Sequence, residues 1–198
     1  KTARHQELIA RAGGIPLVLS ALKQHGRDTA AVSRCVMALM NLAANAANRQ
    51  QIADAGGVEM AVSVLDRFML ELDVAWKASW LLANLSLSNA SIKSQVADFG
   101  GIELLVDALN KHVRNRNISL SAVKALAHLA MQHASNKARI ARINGIPAVL
   151  AVMNMHSGDR DIAEWCFRAL ANVSVEDANK ELIIAANGIS AIVTALNV

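Results

Sequence analysis

The chain has 198 residues, carries 20 Lys and Arg against 16 Asp and Glu for a net charge of +4, and is 54% hydrophobic. That content is far too apolar for a disordered segment, and 3 Phe, 3 Trp, no Tyr and 2 Pro suit tightly packed helices better than sheets. The mild basic excess is scattered, with no dense Lys/Arg stretch interleaved with aromatics, which argues against a nucleic-acid partner; no apolar run reaches the roughly 18 residues a membrane span needs.

The segment around Leu8-Ile9 reads as a short apolar helix stopped at Gly13-Gly14, where a left-handed residue costs little without a Cβ. Pro16 suits the first turn of a second helix, its missing N–H being an orphan there in any case. Gly26-Arg27-Asp28 reads as a polar turn, and residues 31–44 as a longer third helix with apolar residues at three- and four-residue spacing. The order then returns. Ile52-Ala53 leads to Gly56-Gly57 and a third helix over 74–87, and Val96-Ala97 leads to Gly100-Gly101, a turn at 114–117 and a helix over 118–132. Ile140-Ala141 leads to Asn144-Gly145, a second helix over 147–155, a turn at 157–161 and a helix over 162–175. Ile183-Ile184 leads to Asn187-Gly188 and one more second helix.

The glycine-containing pairs recur at intervals of 43, 44, 44 and 43 residues, each followed by Ile or Val: Ile15, Val58, Ile102, Ile146 and Ile189. A second ladder, Asn41, Asn84, His128 and Asn172, keeps the same period. Self-similarity at such a period marks a stack of helical repeats. Within the third helices one position takes small residues throughout, Cys35, Ala78, Ala122 and Cys166, as close helix approach requires. Both cysteines therefore read as small buried hydrophobes far apart in the array, so no disulfide is expected, and a reducing cytoplasmic setting, with the nucleus as alternative, fits. The chain begins at Lys1 without a methionine, which suggests a piece of a longer protein.

Ala55-Gly56-Gly57-Val58 followed by Trp80-Leu81-Leu82-Ala83-Asn84-Leu85, and Asn136-Lys137 through Gly145-Ile146-Pro147 to Ala169-Leu170-Ala171-Asn172-Val173, resemble armadillo repeats. The resemblance covers essentially the whole chain. It divides residues 1–198, taken as a single domain, into repeats near 2–45, 46–88, 89–133 and 134–176 and a partial one at 177–198. HEAT repeats are the nearest rival, and the glycine break between first and second helices favours armadillo. The resemblance implies an all-α, right-handed α-solenoid with three helices per repeat. Its concave face would be lined by the third helices, where an asparagine ladder hydrogen-bonds the backbone of an extended peptide. Asn41, Asn84 and Asn172 match that ladder, and His128 departs from it.

Residues four and eight places before the ladder share its helix face: Met37 and Ser33, Trp80 and Trp76, Lys124 and Leu120, Arg168 and Glu164. Trp80 and Asn84 match the Trp-x-x-x-Asn arrangement of nuclear-import adaptors, which use such pairs repeatedly; this chain has one. Arg34, Lys77, Lys124 and Arg168 lie on or beside the stripe with Glu164 as counter-charge, so an acidic or mixed extended peptide is the preferred ligand and a basic one the alternative. Trp76 serves either as an anchor in that groove or as packing between repeats, and Trp165 is expected to be buried.

Catalytic signals are missing. The glycine pairs lack a phosphate-loop pattern, the histidines are dispersed without a zinc set, and no nucleophile sits in a glycine elbow. The expected activity is that of a scaffold or adaptor protein, with no enzyme chemistry, cofactor or metal. A second class is structural assembly through the array ends: Ile189, Ile192, Val193, Ala195 and Leu196 would be left uncovered in the last repeat, open to a partner or to a second copy in a homodimer.

Overall fold

The computed structural model describes residues 2–87 and 89–196. The repeat ends assigned to residues 88 and 198 lie outside them. Contacts cluster into two compact units, Lys1–Gly101 and Ile102–Val198. The first holds α1 (Thr2–Arg11), α2 (Gly14–Gln24), α3 (Thr29–Leu42), α4 (Ala46–Asp54), α5 (Gly57–Arg67), α6 (Leu72–Leu85) and α7 (Ala90–Asp98). The second holds α8 (Gly101–Lys111), which begins at the boundary, then α9 (Arg116–Ala130), α10 (Ala134–Arg142), α11 (Gly145–Met155), α12 (Arg160–Val173), α13 (Asp177–Ala185) and α14 (Gly188–Leu196). Every described element is a helix, in the short–medium–long order the period predicts.

The two members of each glycine pair have different tasks. Gly13, Gly56 and Gly100 take φ of 82, 79 and 83°, and Asn144 and Asn187 take 60 and 57°, so the first position needs a residue that tolerates the left-handed region. The second position needs absence of a side chain. A Cβ on Gly145 would stand 2.6 Å from Ile140 Cγ2 and 2.7 Å from the Ile140 carbonyl oxygen. Asparagine is therefore admitted at the first position and glycine alone occupies the second.

The third helices begin and end about two residues earlier than the sequence pattern predicts. The polar turn residues act as N-caps: Asp28 accepts from the N–H of Ala30 and Ala31, Asn115 from Ile118, and Asp159 from Asp161 and Ile162. Each such cap satisfies orphan donors and contributes about 1 kcal/mol. Along α3, Val32, Val36, Leu39 and Leu42 are buried; in α12, Ile162, Cys166, Ala169, Leu170 and Val173 are. These stripes pack α3 on α6 in the first unit and α9 on α12 in the second, the most extensive helix pairs of their units. Cys166 is fully buried, confirming the small-residue position, whereas Cys35 is only partly covered.

A ladder of buried asparagines closes the third helices and was not anticipated. Asn48 donates to the Leu42 carbonyl (3.0 Å), Asn136 to Leu129 (3.0 Å) and Asn179 to Val173 (2.9 Å). Each sits in the first helix of the next repeat and takes up a carbonyl that a helix end leaves unpaired. Ile92 stands at the equivalent place in α7.

Candidate functional site

The predicted groove residues lie on α3 and α6 in the first unit and on α9 and α12 in the second. On α3, Arg34, Met37 and Asn41 are exposed, three to four residues apart along one face. Asn41 takes part in repeat packing through its backbone, whose carbonyl accepts from Gln6 Nε2 at 2.7 Å. On α6, Trp76 and Trp80 are half-buried.

The asparagine ladder is built into the packing between repeats. Asn84 is only 8% exposed and donates from Nδ2 to the Met40 carbonyl of α3 at 3.0 Å. Asn172, half-buried, donates to the Ala127 carbonyl of α9 at 2.9 Å. One amide hydrogen of each ties consecutive third helices together. The second hydrogen and the oxygen lone pairs remain for another partner, since a side-chain amide has two donors and an acceptor.

Lys77 is not a groove cation of the kind its helix face suggests. Its side chain is buried, and Nζ donates to Ser33 Oγ (2.6 Å) and Asp73 Oδ2 (2.7 Å), while the Ser33 hydroxyl donates to the same carboxylate. Helical spacing places Lys77 beside the stripe, but Ser33 on the neighbouring helix and Asp73 one turn earlier draw its ammonium inward. Hydrogen bonds from Lys77 and Ser33 hold the Asp73 carboxyl below its ordinary value of 3.8.

The second unit carries the most elaborated cluster. Trp165, expected to be buried, is half-exposed and forms its centre. Lys124 Nζ lies 4.9 Å and the Arg168 guanidinium carbon 4.8 Å from its ring centroid, both within cation–π range. His128, 5% exposed, meets the same ring edge-on at 4.9 Å with an interplanar angle of 87°. Glu164 accepts from Arg168 one turn away at 2.5 Å. Burial, followed by repulsion from Arg168, pushes the Lys124 ammonium below its ordinary pKa. Met37 and Trp80 occupy the register positions of Lys124 and Arg168 in the first unit, so that unit presents apolar and aromatic side chains where the second presents charge.

Among the described residues no group of three or more His, Cys, Asp or Glu side chains could hold a metal ion, and no helix is long and apolar enough to cross a membrane. Beyond the third-helix faces, Ile189, Val193 and Leu196 of α14 are exposed, and Phe167, Leu170 and Ile183 help line an open cleft of about 400 Å³ beside α13.

A sequence model of the GAC ARM domain matches residues 4–136. The protein aardvark of Dictyostelium discoideum is 30% identical over 95 residues, a match covering 43% of this chain and 12% of that protein. The chain thus spans a small part of the curated relative it matches. An engineered protein of known crystal structure superposes with a TM-score of 0.84 at 25% identity, covering 96% of this chain and 75% of that one. A designed armadillo repeat protein in complex with the peptide (KR)4 gives a TM-score of 0.82 at 17% identity, covering 96% and 77%.

Proposed function

Because the chain belongs to the GAC ARM domain family and is an all-α solenoid of armadillo repeats, we propose that it is a protein-binding scaffold holding an extended peptide segment of a partner against its third helices. The observation that carries the reading is the division of labour in the ladder. Asn84 and Asn172 each give one amide hydrogen to the preceding third helix and keep a donor and an acceptor, the pair a peptide unit requires. Each such bond contributes about 0.5–1.5 kcal/mol net, so the ladder sets direction and register while neighbouring side chains supply affinity. Met37, Trp76 and Trp80 are suited to anchor apolar residues of the peptide in the first unit, because large aromatics dominate binding energy where they are desolvated. The exposed Arg34 and the Lys124–Arg168 pair favour an acidic or mixed sequence.

A basic peptide is the second reading. It is favoured by the Trp80–Asn84 pair and by the designed relative bound to (KR)4. Competition decides between them: a Glu/Asp-rich peptide displaces the partner in the first case and a Lys/Arg-rich one in the second. Self-association through the exposed α14 side chains would appear as a concentration-dependent dimer in sedimentation, and a monomer at all concentrations would remove it.

Co-purification from cell extract tests the scaffold reading. Met37→Glu and Arg168→Glu, on the third-helix faces, are expected to lose the partner, whereas Ser63→Glu on the exposed side of α5 keeps it. Equal retention by all three would place the interface elsewhere.

A further inference from the structure

The first unit has a cleft that none of the predicted groove residues line. It lies between the C-terminal ends of α2 and α5, has a volume of about 160 Å³, and is floored by Leu22, Val32, Val64 and Phe68. Lys23 and Arg67, each in the last turn of its helix, are its charged lining residues, and no carboxylate lines it. The Arg67 guanidinium carbon stands 5.6 Å from the Phe68 ring centroid, which keeps it beside the apolar floor. In the third repeat Lys111, equivalent to Arg67, pairs with Asp107 one turn back at 3.5 Å. Leu19 and Ser63 stand one turn before Lys23 and Arg67, and neither of these cations makes an ion pair among the described residues.

The turn that leaves Phe68 departs from its counterparts. Where the first and third repeats place Arg27 and Thr29 or Arg114 and Arg116, it places Leu70 and Leu72, 77% and 48% exposed. Its cap residue Glu71 makes no side-chain cap hydrogen bond, whereas Asp28 and Asn115 cap their helices. An exposed apolar pair and a forfeited cap both work against local stability, and such departures concentrate where a surface serves another task.

We propose that this cleft and turn form a second docking site, which takes an extended partner segment carrying an apolar side chain flanked by carboxylates. The apolar side chain enters the cleft, whose volume is on the scale of a cavity that holds one benzene ring. Lys23 and Arg67 stand on different helices, so the segment offers each its own carboxylate and no single anion has to bridge them. A basic segment would bring like charge to both walls. Leu70 and Leu72, two and four residues beyond Phe68, extend the apolar contact. The site stands without the reading of the third-helix faces as a groove.

Three pools of short amidated peptides test this: leucine flanked by Asp and Glu, leucine flanked by Lys and Arg, and serine flanked by Asp and Glu. Each is titrated into protein labelled at its Leu and Val methyls. The Leu22, Val32 and Val64 resonances are expected to shift saturably with the first pool, at about tenfold lower concentration than with either of the others. Lys23→Glu combined with Arg67→Glu is expected to reverse the order of the two leucine pools. Ser63→Glu gives Arg67 the acid one turn back that Lys111 has, and is expected to weaken this binding about threefold while keeping the partner of the third-helix faces. Equal half-saturation for the two leucine pools, or for the acidic leucine and serine pools, overturns the proposal, as does binding unchanged by the charge reversal. A second copy is the other occupant to test, because Leu70-Glu71-Leu72 is itself an acidic–apolar segment. If the same methyl shifts grow with protein concentration before any peptide is added, and Leu70→Ser removes them, the cleft belongs to self-association and the proposal falls.

Discussion

His128 and Trp165 meet edge to face, 4.9 Å between centroids and 87° between planes, and each is the exception in its own register row. His128 stands where the other repeats have Asn41, Asn84 and Asn172; Trp165 stands where they have Arg34, Lys77 and Ser121. The interruption of the asparagine ladder is thus matched by a change on the third helix of the following repeat, α12, one turn from Arg168. Loss of an amide at that step and gain of an aromatic–cation cluster are two aspects of one local repacking.

The ladder asparagines divide into probes of binding and probes of stability. Asn172→Ala removes the bond to the Ala127 carbonyl and is expected to lower unfolding free energy by about 1 kcal/mol, read by thermal or urea denaturation. Asn41→Ala, on an exposed amide whose residue joins the packing through its backbone carbonyl, is expected to leave the melting curve in place while weakening peptide retention. Partner loss in Asn172→Ala has to be read beside its melting curve; partner loss in Asn41→Ala stands by itself.

Acid should weaken the α3–α6 contact through Asp73. Its folded-state pKa is depressed below 3.8, so the ionised form contributes stability that is fully present above the ordinary carboxylate value and is lost as pH falls through the lower folded value. Between wild type and Asp73→Asn, the stability difference is expected to shrink as pH drops below about 4. The effect is modest because the Asp73 carboxylate is 64% exposed and water screens it. A difference independent of pH would detach Asp73 from the Lys77–Ser33 arrangement.

Cys166 should be chemically silent. Burial pushes its thiol up to about 12, and thiolate is the reactive form. Maleimide at neutral pH is expected to leave it unmodified in the native protein and to label it in denaturant, by mass spectrometry. Cys166→Ala is expected to change stability by less than about 1.5 kcal/mol, since Ala78 and Ala122 occupy the equivalent positions.

Gly145→Ala is expected to cost about 1–3 kcal/mol, because the Ile140 carbonyl that its Cβ would meet is backbone and cannot swing away. Asn144→Gly, one residue earlier, should stay within about 0.5 kcal/mol of wild type, the left-handed φ being open to either residue. Matched urea titrations of the two variants compare them directly.

The solenoid was legible because its determinants are local. Glycine spacing, the prolines at Pro16 and Pro147, and three- and four-residue apolar spacing each act within one helix or turn. The site was legible only by face. Periodicity places Lys77, Trp165 and His128 near the stripe, but their environment depends on side chains one repeat away: Ser33 captures Lys77, and Lys124 stacks on Trp165. The buried asparagines 48, 136 and 179 carry a recurring Asn at the repeat period, a signal available in the sequence. A polar residue in a short first helix reads as solvated until its carbonyl partner is known.

The left-handed break after the first helix also has a chemical lifetime. In the first unit it is made by Gly-Gly, which has no side chain to react, whereas the second unit makes it twice with Asn-Gly, at Asn144-Gly145 and Asn187-Gly188. Both asparagines are exposed and precede a residue that cannot shield its own nitrogen, the setting in which asparagine cyclises to a succinimide and opens to isoaspartate. That product adds a methylene to the main chain beside a glycine with no room to give, so slow deamidation would unfasten α10 from α11 and α13 from α14 while the first unit kept its joints.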